Sequence, residues 1–140
     1  MPIPFFSIVT LFTEVVVTAL VIFIVRRGYR TGVFPRRLAF SVLGYEALFN
    51  ISYMVSRTLH ESGEPVRTMK PGELPLAIFH GTFSLVMFVA LVAFFLLAAR
   101  GYGRGENYFL LHRKTMIAFL SAWGISVLSG FLFFARIYLF

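Results

Sequence analysis

The chain has 140 residues, of which 59% are apolar, 18% aromatic and 14% charged, with a formal net charge of +7. A soluble domain carries about 25% charged residues, so there is too little polar surface here for a water-soluble globule or a soluble enzyme. Cysteine is absent, which excludes disulfides, iron–sulfur clusters and thiolate metal sites.

Four apolar blocks, Pro4–Val25, Leu38–Met54, Leu76–Ala99 and Thr115–Ala135, fill most of the chain. Each approaches the roughly 20 residues a helix needs to cross a bilayer. The expected fold is an all-α membrane protein. It is a single four-span domain over residues 1–140, with spans at about 4–25, 38–57, 76–99 and 115–136 joined as an up-down antiparallel bundle. Its 18 Phe read as lipid contact and packing.

The first block has no basic residue ahead of it and carries Glu14 near its middle. It therefore reads as a retained span rather than a cleaved signal peptide. Thr10, Glu14 and Thr18 recur every four residues and share one helix face. The gap that follows holds Arg26, Arg27, Arg30, Arg36 and Arg37 and no acid, with Gly28, Gly32 and Pro35 as chain breakers.

The second span carries a polar stripe of Glu46, Asn50, Tyr53 and Arg57, continued by His60. Glu14 lies about ten residues from the outer start of its span and Glu46 about nine from the inner start of its own. At about 1.5 Å per residue both come near the midplane. Carboxyl groups there should face the bundle, as a proton relay or as polar glue between helices. Arg57 is expected to turn inward along the stripe. The next gap balances Arg57, Arg67 and Lys70 against Glu61, Glu64 and Glu73, and Gly63, Pro65, Pro71, Gly72 and Pro75 break it.

The third span holds His80 five residues in, with Gly81 beside it and Ser84 one turn on. Imidazole ligates haem iron and copper. His80, paired with His60 at similar depth, is the candidate haem or copper site, against the alternative of a hydrogen-bonded core histidine. A quinone near Glu46 and Tyr53 is the other cofactor reading. The third gap holds Arg100, Arg104, Arg113 and Lys114 against Glu106, with Gly101, Gly103 and Gly105 as breakers. His112, Arg113 and Lys114 open the fourth span at the expected lipid-headgroup level. In that span Ala118, Ala122, Ser126 and Gly130 repeat every four residues, a small-residue face for close helix packing.

Nine of the thirteen basic residues lie in the first and third gaps. The positive-inside rule makes those gaps cytoplasmic and predicts an N-out/C-out topology. The net charge thus belongs to loops at a membrane surface, and the expected partners are the lipid bilayer and other membrane subunits, not nucleic acid.

Phe79-His80-Gly81 opening one span, His112-Arg113-Lys114 opening the next, Leu128-Ser129-Gly130 before an aromatic, basic tail, and Ser52–Thr58 in the second span form a pattern. From about Arg36 onward it resembles a small four-helix bacterial membrane family, catalogued as a domain of unknown function and called YozB-like. Members are found beside haem–copper terminal oxidases and their assembly factors. The resemblance implies a bacterial inner-membrane, multi-pass accessory or assembly subunit of the respiratory chain, with no catalysis of its own. It carries His80 and His112 over as the family's histidines. The family's inner histidine at the start of the second span is replaced here by Pro35-Arg36-Arg37. The alternatives kept open are a haem- or quinone-binding electron-transfer protein using His80, and a purely structural subunit of a larger membrane complex.

Overall fold

The computed structural model describes residues 5–61 and 71–139, with every side chain there except those of 6, 7, 53, 54 and 56–61. Four long helices and one short one account for almost all of it: α1 (Phe5–Thr31), α2 (Arg36–Glu61), α3 (Glu73–Gly103), α4 (Tyr108–Leu111) and α5 (Arg113–Tyr138). Among the described residues there is no strand.

The helices run further than the apolar blocks because several of the expected breakers do not break them. Gly28 stays helical inside α1, and the chain turns only at Gly32, where φ is +71°. Gly101 and Gly103 belong to α3, and the turn falls at Gly105 with φ +82°. Pro75 sits in the first turn of α3, where an amide has no intrahelical acceptor to lose.

Around the bundle α1 packs on α2 and α5, and α3 packs on α2 and α5, the α3–α5 seam being the most extensive. Among the described residues the backbones of the diagonal pairs α1/α3 and α2/α5 stay apart, although the Tyr102 side chain of α3 reaches Gly28 of α1. Sequential long helices are antiparallel. His80 meets Ser129 near one end of the α3–α5 seam, and Phe94 stacks on Phe119 towards the other.

The core is apolar and aromatic: Val17, Val21 and Ile24 from α1, Ala39 and Val42 from α2, Leu91, Phe94 and Phe95 from α3, and Phe119 and Trp123 from α5. Large apolar side chains also cover the outside of every long helix, among them Phe12, Leu48, Val89 and Leu128, each at least 60% exposed. Water would not tolerate so continuous an apolar exterior on a monomer, whereas hydrocarbon matches it. Among the described residues α1, α3 and α5 are long and apolar enough to cross a membrane. α2, with Glu46 and Asn50 on its inward stripe, is the more polar fourth partner.

Candidate functional site

The polar chemistry of the interior falls at three levels. The first lies in the α3–α5 seam. His80 Nδ1 is 2.8 Å from Ser129 Oγ and 3.3 Å from Ser84 Oγ. Ser84 Oγ is in turn 3.2 Å from Ser126 Oγ. Ser129 donates its hydroxyl proton to the Ser126 carbonyl at 2.6 Å. A serine has one proton to give, so Ser129 Oγ accepts from Nδ1–H, and the neutral imidazole keeps its lone pair on Nε2.

The ring's other edge lies on the α5 backbone. A Cβ built on Gly130 would come within 2.8 Å of His80 Cε1 and 3.3 Å of Nε2. Phe133 stacks on the same ring, centroids 6.1 Å apart. The small residue at 130 is thus what admits the imidazole between the helices. Of the four-residue repeat, Ser126 and Gly130 lie in this seam, Ala122 packs against the core and Ala118 is exposed.

The second level joins α1 to α2 and α5. Thr13 Oγ1 and Tyr45 Oη are 3.3 Å apart, and Trp123 Nε1–H donates to Thr18 Oγ1 at 3.1 Å. Glu46 is 7% exposed. Asn50 Nδ2 donates to the Glu46 carbonyl at 2.8 Å and to its Oε2 at 3.4 Å. Glu14, next to Thr13, is half-buried. A membrane-embedded carboxylate costs about 2.5 kcal/mol or more on insertion scales, which is why both acids lie on the bundle side of their helices.

The third level closes the end where α1 and α3 finish and α2 and α5 begin. Asn107 caps α4 by accepting from Leu110 N–H at 3.2 Å. Its Oδ1 also accepts from the Tyr102 hydroxyl at 2.7 Å, and its Nδ2 donates to the Tyr29 carbonyl at 3.2 Å. This turn drives Phe109 into the bundle at 0% exposure, against Phe34, Phe94 and Tyr102. Gly28 makes room for it, since a Cβ there would be 2.8 Å from both Phe109 Cδ2 and Tyr102 Oη. Arg36 Nη2 donates to the Ala99 carbonyl at 3.1 Å, which sets a cation at the negative, C-terminal end of α3. His112 donates Nδ1–H to the Tyr108 carbonyl at 3.1 Å and stacks on the Tyr108 ring, while Arg113 and Lys114 are exposed.

The expected site residues therefore do not converge on one centre. His80 stands in one seam, Glu14 and Glu46 with Asn50 at another level, and His112-Arg113-Lys114 at the basic end. The side chains of Tyr53, Arg57 and His60 lie outside the described residues, and with them the His60–His80 pairing and the inward turn of Arg57. Among the described residues no group of three or more His, Cys, Asp or Glu side chains is placed to hold a metal ion.

The sequence placed Ser84 beside His80 and Ser126 in the small-residue repeat, but not the bonds that tie the histidine to Ser129 and Ser84, and Ser84 to Ser126. Nor did it single out Trp123 as the partner of Thr18, or Asn107 as the organiser of a turn that reads as plain loop. Asn107 ahead of Tyr-Phe-Leu-Leu is an N-cap before an apolar run, the one local signal that announces α4. Glu73, counted among loop charges, is 1% exposed at the start of α3. No protein-family model matches the chain, and neither does any curated protein or solved structure.

Proposed function

We propose that this chain is a four-span accessory or assembly subunit of a respiratory haem–copper terminal oxidase, placed N-out/C-out in a bacterial cytoplasmic membrane and without catalysis of its own. The observation that carries the non-catalytic part is the use made of the interior polar groups. His80, Ser84, Ser126, Ser129, Thr13, Thr18, Asn50 and Trp123 all bond to neighbouring backbone or side chains of the bundle. Such groups hold helices together, and the apolar exterior is left for lipid and for a membrane partner.

The oxidase as partner rests on the resemblance of Phe79-His80-Gly81, His112-Arg113-Lys114 and Leu128-Ser129-Gly130 to the YozB-like pattern. The orientation rests on charge. Nine basic residues (Arg26, Arg27, Arg30, Arg36, Arg37, Arg100, Arg104, Arg113 and Lys114) belong to the end that Arg36, Asn107 and Phe109 knit together, against Glu106 alone. That end is the cytoplasmic one by the positive-inside rule.

The test is removal of the gene from its own bacterium, with affinity purification of the tagged chain in mild detergent. Loss of assembled, active oxidase, together with oxidase subunits co-eluting with the tag, is the expected result. Oxidase at wild-type level in the deletion strain, with no subunit in the eluate, overturns the proposal.

A second reading is favoured by one feature. His80 Nε2 keeps a lone pair that no described protein group uses, the atom by which a histidine ligates haem iron or copper. On that reading the chain is an electron-transfer protein, and His80→Ala removes a cofactor while leaving the bundle folded.

A further inference from the structure

We propose that the groove between α1 and α2 binds one anionic phospholipid, an acyl chain lying in the groove and the phosphate at the arginines beyond its mouth. This goes beyond the accessory reading and needs only that the helices stand in a bilayer.

The groove has a volume of about 400 Å³. Thr13 and Val17 of α1 and Val42 of α2 form a buried floor. The rims, Phe12 and Tyr45, are 70% and 48% exposed, so the groove opens to the outside of the bundle. Leu38 and Ser41 line the end nearer the start of α2. The hydroxyls in the wall bond within the protein. Thr13 Oγ1 and Tyr45 Oη are 3.3 Å apart, and Ser41 Oγ donates to the Arg37 carbonyl at 2.7 Å. The lining includes no charged residue. What it offers an occupant is hydrocarbon surface on the side where lipid stands, and a lipid tail is as apolar as that surface.

The mouth is cationic because the helix register makes it so. Arg27 lies seven residues beyond Leu20, two turns on, and continues the groove face of α1. Arg30 lies eighteen residues beyond Phe12, five turns of about 3.6, and continues that rim. Arg37 stands one turn before Ser41, which bonds its carbonyl. The connection between the helices is tight: Thr31 Oγ1 donates to the Arg27 carbonyl, Val33 N–H donates to Thr31 Oγ1, and Gly32 turns the chain at φ +71°. It brings the end of α1 and the start of α2 side by side. Arg27, Arg30 and Arg37 are all exposed, and among the described residues none of their guanidinium groups bonds another protein group. Arg36, by contrast, is engaged on the Ala99 carbonyl.

Three guanidinium groups at one mouth, with Glu106 the only acid in the loops of that end, favour an anionic headgroup over a zwitterionic one. Basic pockets between membrane helices are where acidic headgroups bind. A partner's apolar helix would fill the groove but leave the arginines unused. A quinone ring would need donors aimed into the groove, and the hydroxyls there are bonded to one another or to backbone. An anionic phospholipid uses both the apolar groove and the cationic mouth.

The experiment places the intact chain in phosphatidylcholine nanodiscs with a small fraction of a phosphatidylglycerol probe that carries a photoactivatable diazirine on one acyl chain. Cross-linked peptides are mapped by mass spectrometry. Labelling should concentrate on residues 12–20 and 38–45. It should exceed that by a phosphatidylcholine probe with the same chain at least about fivefold, the factor one basic residue is worth at an anionic surface. Excess unlabelled phosphatidylglycerol should displace the probe. Arg27→Gln/Arg30→Gln/Arg37→Gln should lose the preference, and it leaves six of the nine basic residues at that end to hold the topology. Ser41→Trp, at an exposed position, should fill the mouth and abolish labelling of the groove while labelling elsewhere on the chain persists. Labelling spread evenly over the four long helices, equal labelling by the two probes, or displacement by a quinone and not by phosphatidylglycerol would each overturn the proposal. Labels outside the groove report in every case that the chain is in the bilayer, so a failure here is distinct from a failure of the membrane reading.

Discussion

Gly130 and His80 are one structural unit written at two distant places in the chain. A methyl group on Gly130 would meet the imidazole at 2.8 Å, and the ring has Ser129 on one side and Phe133 on its face. Gly130→Ala should therefore destabilise the bundle by about 1–3 kcal/mol through overpacking. The same change in a His80→Ala background should cost much less, since the side chain it collides with is gone. Thermal unfolding of the four proteins in one detergent measures that coupling, and additive costs would place the ring away from residue 130. His80, Ser126 and Gly130 were each legible in the sequence, but as unrelated features, a ligand candidate and two members of a small-residue repeat. Periodicity identifies which residues share a face; it does not tell which neighbouring helix that face meets, and it is the register of α3 on α5 that joins them.

Among the elements, α4 shows how much a single cap organises. Asn107 bonds Leu110 N–H, the Tyr102 hydroxyl and the Tyr29 carbonyl, so Asn107→Ala removes a helix cap worth about 1 kcal/mol and two tertiary bonds besides. Amides of residues 108–111 should then exchange with deuterium much faster than in wild type, while those in the middle of α3 and α5 keep their protection. Unchanged exchange at 108–111 would mean that the burial of Phe109 alone holds the turn. The long helices were legible because twenty apolar residues leave few other structures. Their ends were not, because glycine was read as a breaker. Gly28 and Gly101 instead serve close packing, against Phe109 with Tyr102 and against Tyr108, a role that depends on a partner distant in sequence. Trp123, for which the sequence offered no role, donates to Thr18 across the α1–α5 contact. Trp123→Phe should cost about 0.6 kcal/mol, the size of an average interhelical hydrogen bond in a membrane, read in the same unfolding assay.

The whole molecule is asymmetric along its length, with nine basic residues at the end closed by α4. Single cysteines at Thr31, beside that end, and at Gly63, in the segment between α2 and α3, test the orientation. An impermeant maleimide applied to intact cells should label Gly63→Cys and not Thr31→Cys, and the reverse pattern would invert the topology. Function was the least legible level. Composition excluded a soluble enzyme, and the histidines kept a cofactor open, because an imidazole that binds iron and one that bonds a serine look alike in sequence. The absorption spectrum of the chain purified from its own membrane, before and after separation from its partners, tests the accessory reading most directly. The prediction is oxidase subunits and their haem bands in the intact eluate, with no Soret band remaining on the separated chain. A Soret band that stays with the separated chain and disappears in His80→Ala would contradict it and make His80 a haem ligand.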